Sequence, residues 1–199
     1  MKQATAKSGK LKIIATAAAI TILASSLFSC ADAVPPQASP NTAAVESGSV
    51  SCYFPRAGQK PQPALISVIS SAKETLDVAI YSFTDTRIGD SLISAEKNGV
   101  KVRVITDGQE SKSKYQGKVL KALKKAGIPV KVDTHSGLMH LKVTVADKKT
   151  ATTGSFNYTK SAEEKNDEVF VVIKNSDIAK NFSDEFETMW NDKSGFENY

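Results

Sequence analysis

Short apolar strands alternate with amphipathic helices along this 199-residue chain, and the alternation restricts the fold more than any other feature. Strands are predicted where β-branched and aromatic residues run together, and helices where apolar residues recur every three or four positions. The predicted helices are 63–72, 86–97, 113–126 and 178–190, and the predicted strands are 76–83, 100–106, 130–133, 141–146, 150–153 and 168–173. Alternation in the first half favours parallel strands covered by helices, whereas the later hairpin adds antiparallel strands. The sequence therefore predicts an α/β fold, with a mixed β-sheet flanked by helices in a single domain.

The first 30 residues have the pattern of a secretory signal. Four lysines, at positions 2, 7, 10 and 12, precede an apolar run over residues 13–28. This run is shorter than the roughly 20 apolar residues of a membrane-spanning helix, which favours a signal peptide over an uncleaved anchor. Leu27-Phe28-Ser29-Cys30 resembles a bacterial lipobox and so favours lipidation of Cys30. Ordinary cleavage after Ala31-Asp32-Ala33 is the alternative.

Residues 31–48 are rich in Ala, Pro, Ser and Val without an apolar period, and they are predicted to be a flexible linker. The remaining residues, 49–199, are enough for one domain with a hydrophobic core. If Cys30 is lipidated or removed with the signal, Cys52 is the only thiol left, and no disulfide forms within the mature chain. We therefore expect a protein exported across the inner membrane, either periplasmic or tethered to a membrane through Cys30.

Charge is distributed unevenly along the chain. The net charge of +5 owes most of its excess to the four signal lysines. Residues 97–131 contain ten basic side chains against two acidic ones, whereas residues 163–199 contain ten acidic side chains against four lysines. A basic segment steers a polyanion towards a site, but on charge alone a solvated helix face is the favoured explanation.

The residues suited to chemistry are concentrated in one segment. His140 and Lys142 are two apart on an extended chain, so their side chains are expected on the same face of the sheet. Gly154 permits a tight turn that brings Ser155 and Asn157 back beside that face. An imidazole, an ammonium, a hydroxyl and an amide suit a phosphate group, because they supply donors for its oxygens and a nitrogen nucleophile for phosphorus.

Each of these residues alone has an ordinary structural explanation, but their combination at fixed spacing is not expected by chance. The chain matches H-x-K-x4-D-x6-G-S-x-N from His140 to Asn157, with Asp147 as the acidic position. This pattern resembles the signature of the phospholipase D superfamily. Residues 79–84, together with Asn166 and Glu168, are similar to its small bacterial endonuclease branch. The resemblance covers about residues 50–190.

The resemblance implies a metal-independent phosphodiesterase, in first place a non-specific endonuclease that hydrolyses DNA or RNA through a phosphohistidine intermediate. It implies no cofactor and no metal ion. Larger members carry the motif twice, whereas this chain carries it once. The resemblance therefore implies a homodimer, with one His140 from each subunit meeting at a two-fold axis.

The resemblance also assigns roles to the candidate residues. One His140 attacks phosphorus, and the second protonates the leaving oxygen and then activates water. Lys142 and Asn157 are expected to bind phosphate oxygens, with help from Ser155. Glu168 resembles the carboxylate that orients the nucleophilic histidine.

Asp147 belongs to the candidate catalytic set through its place in the motif, although we expect it to be a turn or salt-bridge residue behind the site. His135, the other histidine of the chain, receives no catalytic role.

Two other functions remain open. Hydrolysis of phospholipid head groups uses the same chemistry, and a tether at Cys30 would bring the protein to such a substrate. The lysine-rich segment, and the lack of long apolar loops for acyl chains, favour nucleic acid instead. A binding protein without catalysis is the third possibility, and the intact motif argues against it.

Overall fold

The computed structural model describes residues 48–199. The predicted signal peptide, Cys30 and all but the last residue of the predicted linker lie outside this range. The strands are β1 Ser49–Tyr53, β2 Thr75–Ile80, β3 Lys101–Thr106, β4 Val130–Asp133, β5 Lys142–Ala146, β6 Thr150–Gly154, β7 Phe170–Lys174 and β8 Phe196–Asn198. The helices are α1 Pro61–Ser71, α2 Thr86–Lys97, α3 Lys114–Lys125, α4 Lys160–Glu164 and α5 Ser176–Asn191. None of these helices is long and apolar enough to cross a membrane.

The strands form one sheet in the order β1-β7-β6-β5-β2-β3-β4-β8. β2, β3 and β4 are parallel, and α2 and α3 provide the crossovers that parallel neighbours require. β5 pairs antiparallel with β2 and with β6, and β6 pairs antiparallel with β7. The predicted α/β fold with a mixed sheet is therefore confirmed.

Alternate residues of the central strands face two different helical layers. Leu76, Val78 and Ile80 of β2 belong to the hydrophobic core that packs under α1, α2 and α3. Ala79, between them, belongs to a second cluster, which includes Phe186 of α5. This period of two places helices on both faces of the sheet.

Arg103 of β3 ties α5 to its face of the sheet. Its guanidinium donates to Asp77 at 2.8 Å and to Glu187 at 2.7 Å. The same group lies 5.0 Å from the ring centroid of Phe186 and 5.2 Å from that of Trp190. These contacts form a structural cluster within the fold.

Several boundaries differ from the prediction for physical reasons. β2 ends at Ile80 because the next residues pair with the loop around Tyr158, whose carbonyl accepts from the amides of Thr84 and Asp85. β1, α4 and β8 are elements that the sequence did not predict. β1 and β8 are short and mostly exposed, and their pairing partners are distant in sequence.

Candidate active site

The predicted site residues gather at one end of the sheet. Lys142 begins β5 and pairs with Ile80, the last residue of β2. Gly154 ends β6 and pairs with Phe170, the first residue of β7. The carboxyl ends of parallel strands are where α/β sheets commonly bind ligands, and β2 ends at this position.

His140 and Lys142 contact the same aromatic ring. The ring of Tyr81 lies 4.5 Å, centroid to centroid, from the imidazole of His140. Nζ of Lys142 lies 5.0 Å from the centroid of the Tyr81 ring and donates to the backbone carbonyl of His140 at 2.7 Å. His140 is exposed, whereas Lys142 is 7% exposed. The imidazole is thus open to a substrate, and the ammonium is held beside the same segment.

The environment of Lys142 suits a bound anion. Burial lowers the pKa of Lys142, and the negative charge of Glu168 opposes that shift. An ammonium has three N–H donors, and the carbonyl of His140 takes one of them. A phosphate oxygen beside this buried ammonium would stabilise its charged form, which burial disfavours.

The turn after β6 requires glycine. Gly154 has a φ of 135°, and a Cβ added there would lie 2.1 Å from the carbonyl oxygen of Val169. The next residue, Ser155, donates through Oγ to Glu168 at 2.5 Å and accepts from the amide of Val169 at 3.1 Å. Asn166 donates to the second carboxylate oxygen of Glu168 at 2.9 Å. The turn therefore joins these polar side chains in one network.

Glu168 has Ser155 and Asn166 as its hydrogen-bond partners. Within residues 48–199 of the single chain, no hydrogen bond joins Glu168 to His140. The orienting role of Glu168 stays a prediction.

Burial of alternate residues determines which side chains of the turn remain available. Phe156 and Tyr158 are each 1% exposed and belong to the core. Ser155, which precedes Phe156, and Asn157, which lies between the two aromatic residues, are therefore left outside it. Oδ1 of Asn157 accepts from the amide of Ser82 at 3.3 Å, which orients the side-chain amide. The Nδ2 donor of Asn157 has no acceptor among the described residues and suits a phosphate oxygen.

Asp147 lies at the opposite end of β5 from Lys142, roughly 17 Å away at about 3.4 Å per residue. Its carboxylate accepts the amides of Lys73, Glu74 and Thr75 at 2.8, 2.8 and 2.9 Å. Burial would raise the pKa of Asp147, but these backbone hydrogen bonds hold it below its ordinary value. The structure therefore separates Asp147 from the other candidate catalytic residues, and its contacts fix the chain before β2.

Two residues of this region were missed by sequence reasoning, Tyr81 and Gln116. Gln116 is fully buried. Its Oε1 accepts from the amide of Phe83 at 2.6 Å, and its Nε2 donates to Thr106 Oγ1 at 2.9 Å. These bonds support the segment that carries Tyr81. The available signal was a polar residue within the apolar stripe of α3, formed by positions 116, 119, 120 and 123.

His135 lies in the loop between β4 and β5 that also carries His140, with its ring 5.5 Å from that of Phe196 and Nδ1 3.8 Å from Asp133. Among residues 48–199, no group of three or more His, Cys, Asp or Glu side chains is placed to hold a metal ion. Cys52 is an exposed free thiol on β1.

A mixed sheet that carries His140, Lys142, Ser155 and Asn157 at one end defines a phospholipase D-like domain. A family model described as "Cardiolipin synthase, PLD-like domain" matches residues 65–190. The chain belongs to the phospholipase D superfamily, as its sequence motif predicted.

Curated relatives share part of their length with this chain. Phospholipase D of Rickettsia prowazekii is 36% identical over 131 residues, which are 66% of this chain and 62% of that protein. Human mitochondrial cardiolipin hydrolase is 31% identical over 139 residues, which are 70% of this chain and 54% of that protein. The chain thus matches between about half and two thirds of these relatives.

Two solved bacterial structures are matched almost completely. Nuc from Salmonella typhimurium, a phospholipase D family member, has a TM-score of 0.71 and 33% identity, covering 76% of this chain and 98% of that one. NucT from Helicobacter pylori has a TM-score of 0.66 and 27% identity, covering 74% of this chain and 98% of that one. The described residues therefore adopt the fold of small phospholipase D-like proteins.

Proposed function

We propose that this protein is a phosphodiesterase that cuts nucleic acid, without base specificity, through a phosphohistidine intermediate. The observation that carries the proposal is the contact of an exposed imidazole, His140, with the same aromatic ring as the buried ammonium of Lys142. A nucleophilic nitrogen and a cation at one sheet end suit attack on a phosphodiester. Membership of the phospholipase D superfamily supports this chemistry.

The reaction has two steps on the proposed route. A ring nitrogen of one His140 attacks phosphorus in line, and the phosphorus–oxygen bond to the leaving group breaks. The second His140 gives that oxygen its proton. The same second imidazole then takes a proton from water, whose oxygen attacks phosphorus and releases the first histidine. Lys142 and Nδ2 of Asn157 hold the non-bridging oxygens throughout.

The second histidine is proposed to come from a second copy of the chain. The motif occurs once in the sequence, so one chain supplies one imidazole in the H-x-K arrangement. Leu138 and Leu141, on either side of His140, are 54% and 39% exposed. Exposed apolar side chains around a polar site suit an interface between two copies related by a two-fold axis.

Phospholipid is the second candidate substrate. It is supported by the names of the relatives, phospholipase D and cardiolipin hydrolase, and by the two exposed leucines beside His140. The resemblance of residues 79–84 and of Glu168 to the small endonuclease branch favours nucleic acid. The lysine-rich α3 favours it as well, since phosphate contacts dominate binding to nucleic acid.

The test offers both substrates to the purified protein in EDTA. We expect plasmid DNA to be cut and phosphatidylcholine or cardiolipin vesicles to be left intact. His140→Ala is expected to abolish cutting, whereas His135→Ala, a matched loss of a histidine without a catalytic role, is expected to retain it. Head-group release from vesicles without plasmid cutting would reverse the assignment.

We also propose export and lipidation at Cys30, on the strength of the lysines, the apolar run and the lipobox-like residues before it. Labelling with a fatty acid during expression in bacteria tests this. Label that is lost in Cys30→Ser is expected, whereas an unlabelled mature protein that begins after Ala33 would contradict lipidation.

A further inference from the structure

A groove runs from the loop before His140 to the surface of α3. Its first part, a cavity of about 460 Å³, lies between residues 108–112 and the loop that holds His135 and Gly137. Its second part, also about 460 Å³, is lined by Lys112, Lys114 and Lys121. Ser111, Lys112 and Tyr199 line both parts, so the two cavities are adjacent and share a wall; together they are called the groove.

The second part of the groove is basic. None of the ammonium groups of Lys112, Lys114 and Lys121 has a carboxylate within salt-bridge distance among residues 48–199. Lys112 Nζ donates to the neutral side chain of Gln109 at 3.3 Å. Three cations without internal counter-ions along one groove attract an anion with several charges.

The first part has mixed charge and does not supply such a row. Asp133 and Glu197 line it. The carboxylate of Asp133 is buried, and it accepts from the amide of Gly108 at 2.6 Å. The phosphate contacts are therefore assigned to the lysines of the second part.

Lys114 and Lys121 belong to α3, and Lys112 lies in the turn before it. Lys114, Gly117 and Lys121 follow helical spacing along the groove. Lys118 lies on the same face of the helix, one turn after Lys114, but it lines a different cavity, together with Ile93 of α2. A Cβ at Gly117 would lie 3.5 Å from both the carbonyl of Ser111 and the hydroxyl of Tyr199, so a larger side chain there would enter the groove.

The groove is coupled to the candidate active site. The amide of Met139, next to His140, donates to Asp107 at 3.2 Å. Asp107 accepts in turn from the amides of Gln109 and Glu110 at 2.9 Å each, so it ties the groove wall to the catalytic segment. A nucleic-acid strand that extends from His140 towards Asp107 would approach the groove.

We propose that Lys112, Lys114 and Lys121 bind the sugar–phosphate backbone of the nucleic acid several nucleotides away from the phosphate that is cut. The inference rests on the proposed function for its substrate class. It adds a second site for nucleic acid, separate from the motif that contains His140. Contacts of ammonium groups with phosphates carry no base information, which agrees with cutting without sequence preference.

The first experiment measures binding. Lys112, Lys114 and Lys121 are replaced together by Gln, and Lys73, Lys97 and Lys101, which are exposed and away from the groove, are replaced by Gln as a control of equal charge. Both triple variants are made in a His140→Ala background, and anisotropy of a labelled oligothymidylate of about 16 nucleotides is followed against salt.

Loss of the groove lysines is expected to weaken binding about 10- to 100-fold near 0.1 M salt, and to reduce the slope of log K against log salt by about 2, at about 0.7 per contact. The control triple is expected to change affinity less than about threefold. The proposal would be overturned if both triple variants lost the same affinity for the oligonucleotide, or if the groove variant lost none. A groove variant that loses binding to phosphatidylglycerol vesicles while it keeps the oligonucleotide would also overturn it, because the groove would then bind a membrane surface.

The second experiment separates this inference from the proposed function. In enzyme that retains His140, the ratio of kcat/KM for plasmid to that for bis(p-nitrophenyl) phosphate is expected to fall at least about tenfold in the groove triple. If the wild-type enzyme cuts plasmid but the ratio is unchanged in the groove triple variant, the groove proposal is wrong and the proposed function stands. If the wild-type protein binds the oligonucleotide but cuts no nucleic acid, the proposed function is wrong and the proposed binding of nucleic acid by the groove is retained.

Discussion

Tyr81 packs its ring against His140, with the two ring centroids 4.5 Å apart, and the same ring receives the ammonium of Lys142 at 5.0 Å. One aromatic side chain therefore positions both residues of the H-x-K motif. A cation over an aromatic ring contributes about 0.5–2 kcal/mol, depending on solvation. The ring is thus a positioning element rather than a participant in the reaction.

Replacement of Tyr81 by Leu is expected to lower kcat/KM about 10- to 100-fold, because small displacements of catalytic groups are costly. Tyr81→Phe keeps the ring and is expected to stay within about threefold of wild type. Steady-state kinetics as a function of pH would measure both. If Leu and Phe lowered activity equally, or lowered thermal stability alone, the positioning role would be wrong.

The fall of kcat/KM at high pH, the alkaline limb of the pH profile, is expected to reflect deprotonation of Lys142. Burial lowers the pKa of this ammonium from its ordinary value of 10.5. As the pH rises, Lys142 is therefore expected to lose its charge, and kcat/KM to decline, before pH 10.5 is reached. Glu168 raises the same pKa. Glu168→Gln removes that support and is expected to move the limb to still lower pH. A limb that moves upward in this variant would contradict the assignment.

Asp147 is expected to affect stability rather than chemistry. Its three hydrogen bonds to backbone amides depress its pKa below the ordinary 3.8. Its contribution to stability is therefore fully present above pH 3.8 and is lost as the pH falls through the lower folded-state value. Asp147→Ala is expected to cost about 2–3 kcal/mol at pH 7. Asp147→Asn is expected to cost less, because one acceptor oxygen remains and because Asn tolerates the positive φ of 53° at this position.

Urea unfolding at pH 7 and at pH 3 would measure these differences. The difference in the free energy of unfolding between wild type and Asp147→Ala is expected to be smaller at pH 3 than at pH 7. A constant difference at both pH values would show that the carboxylate charge is not what stabilises the turn. Loss of activity in well-folded Asp147→Asn would return this residue to the catalytic set.

Sequence reasoning was sufficient where the signal was local. The parallel strands followed from alternating strand and helix patterns, and the hairpin of β5 and β6 followed from its apolar strands and the turn between them. The motif indicated the superfamily, because its spacing combines His140, Lys142 and Ser155 in one segment. Gly154 was recognised as a turn residue, and its φ of 135° gives the reason.

Contacts between distant segments were not predictable in the same way. Tyr81 precedes its ring partner His140 by 59 positions, and nothing local marks such a pair. Gln116 belongs to an apolar stripe by spacing, but its partners Phe83 and Thr106 are fixed by the packing of α3. β1 depends on pairing with β7, since its own residues are mostly exposed.

On the proposed mechanism, His140 supplies half of an active site, and a second copy of the chain completes it. The most direct measurement purifies a heterodimer of one wild-type and one His140→Ala subunit through two different tags and assays plasmid cutting in EDTA. The proposed mechanism predicts loss of turnover in the heterodimer, as in the His140→Ala homodimer, while the doubly tagged wild type stays active. A heterodimer with half of the wild-type activity, or an active wild type that is strictly monomeric by light scattering, would contradict it.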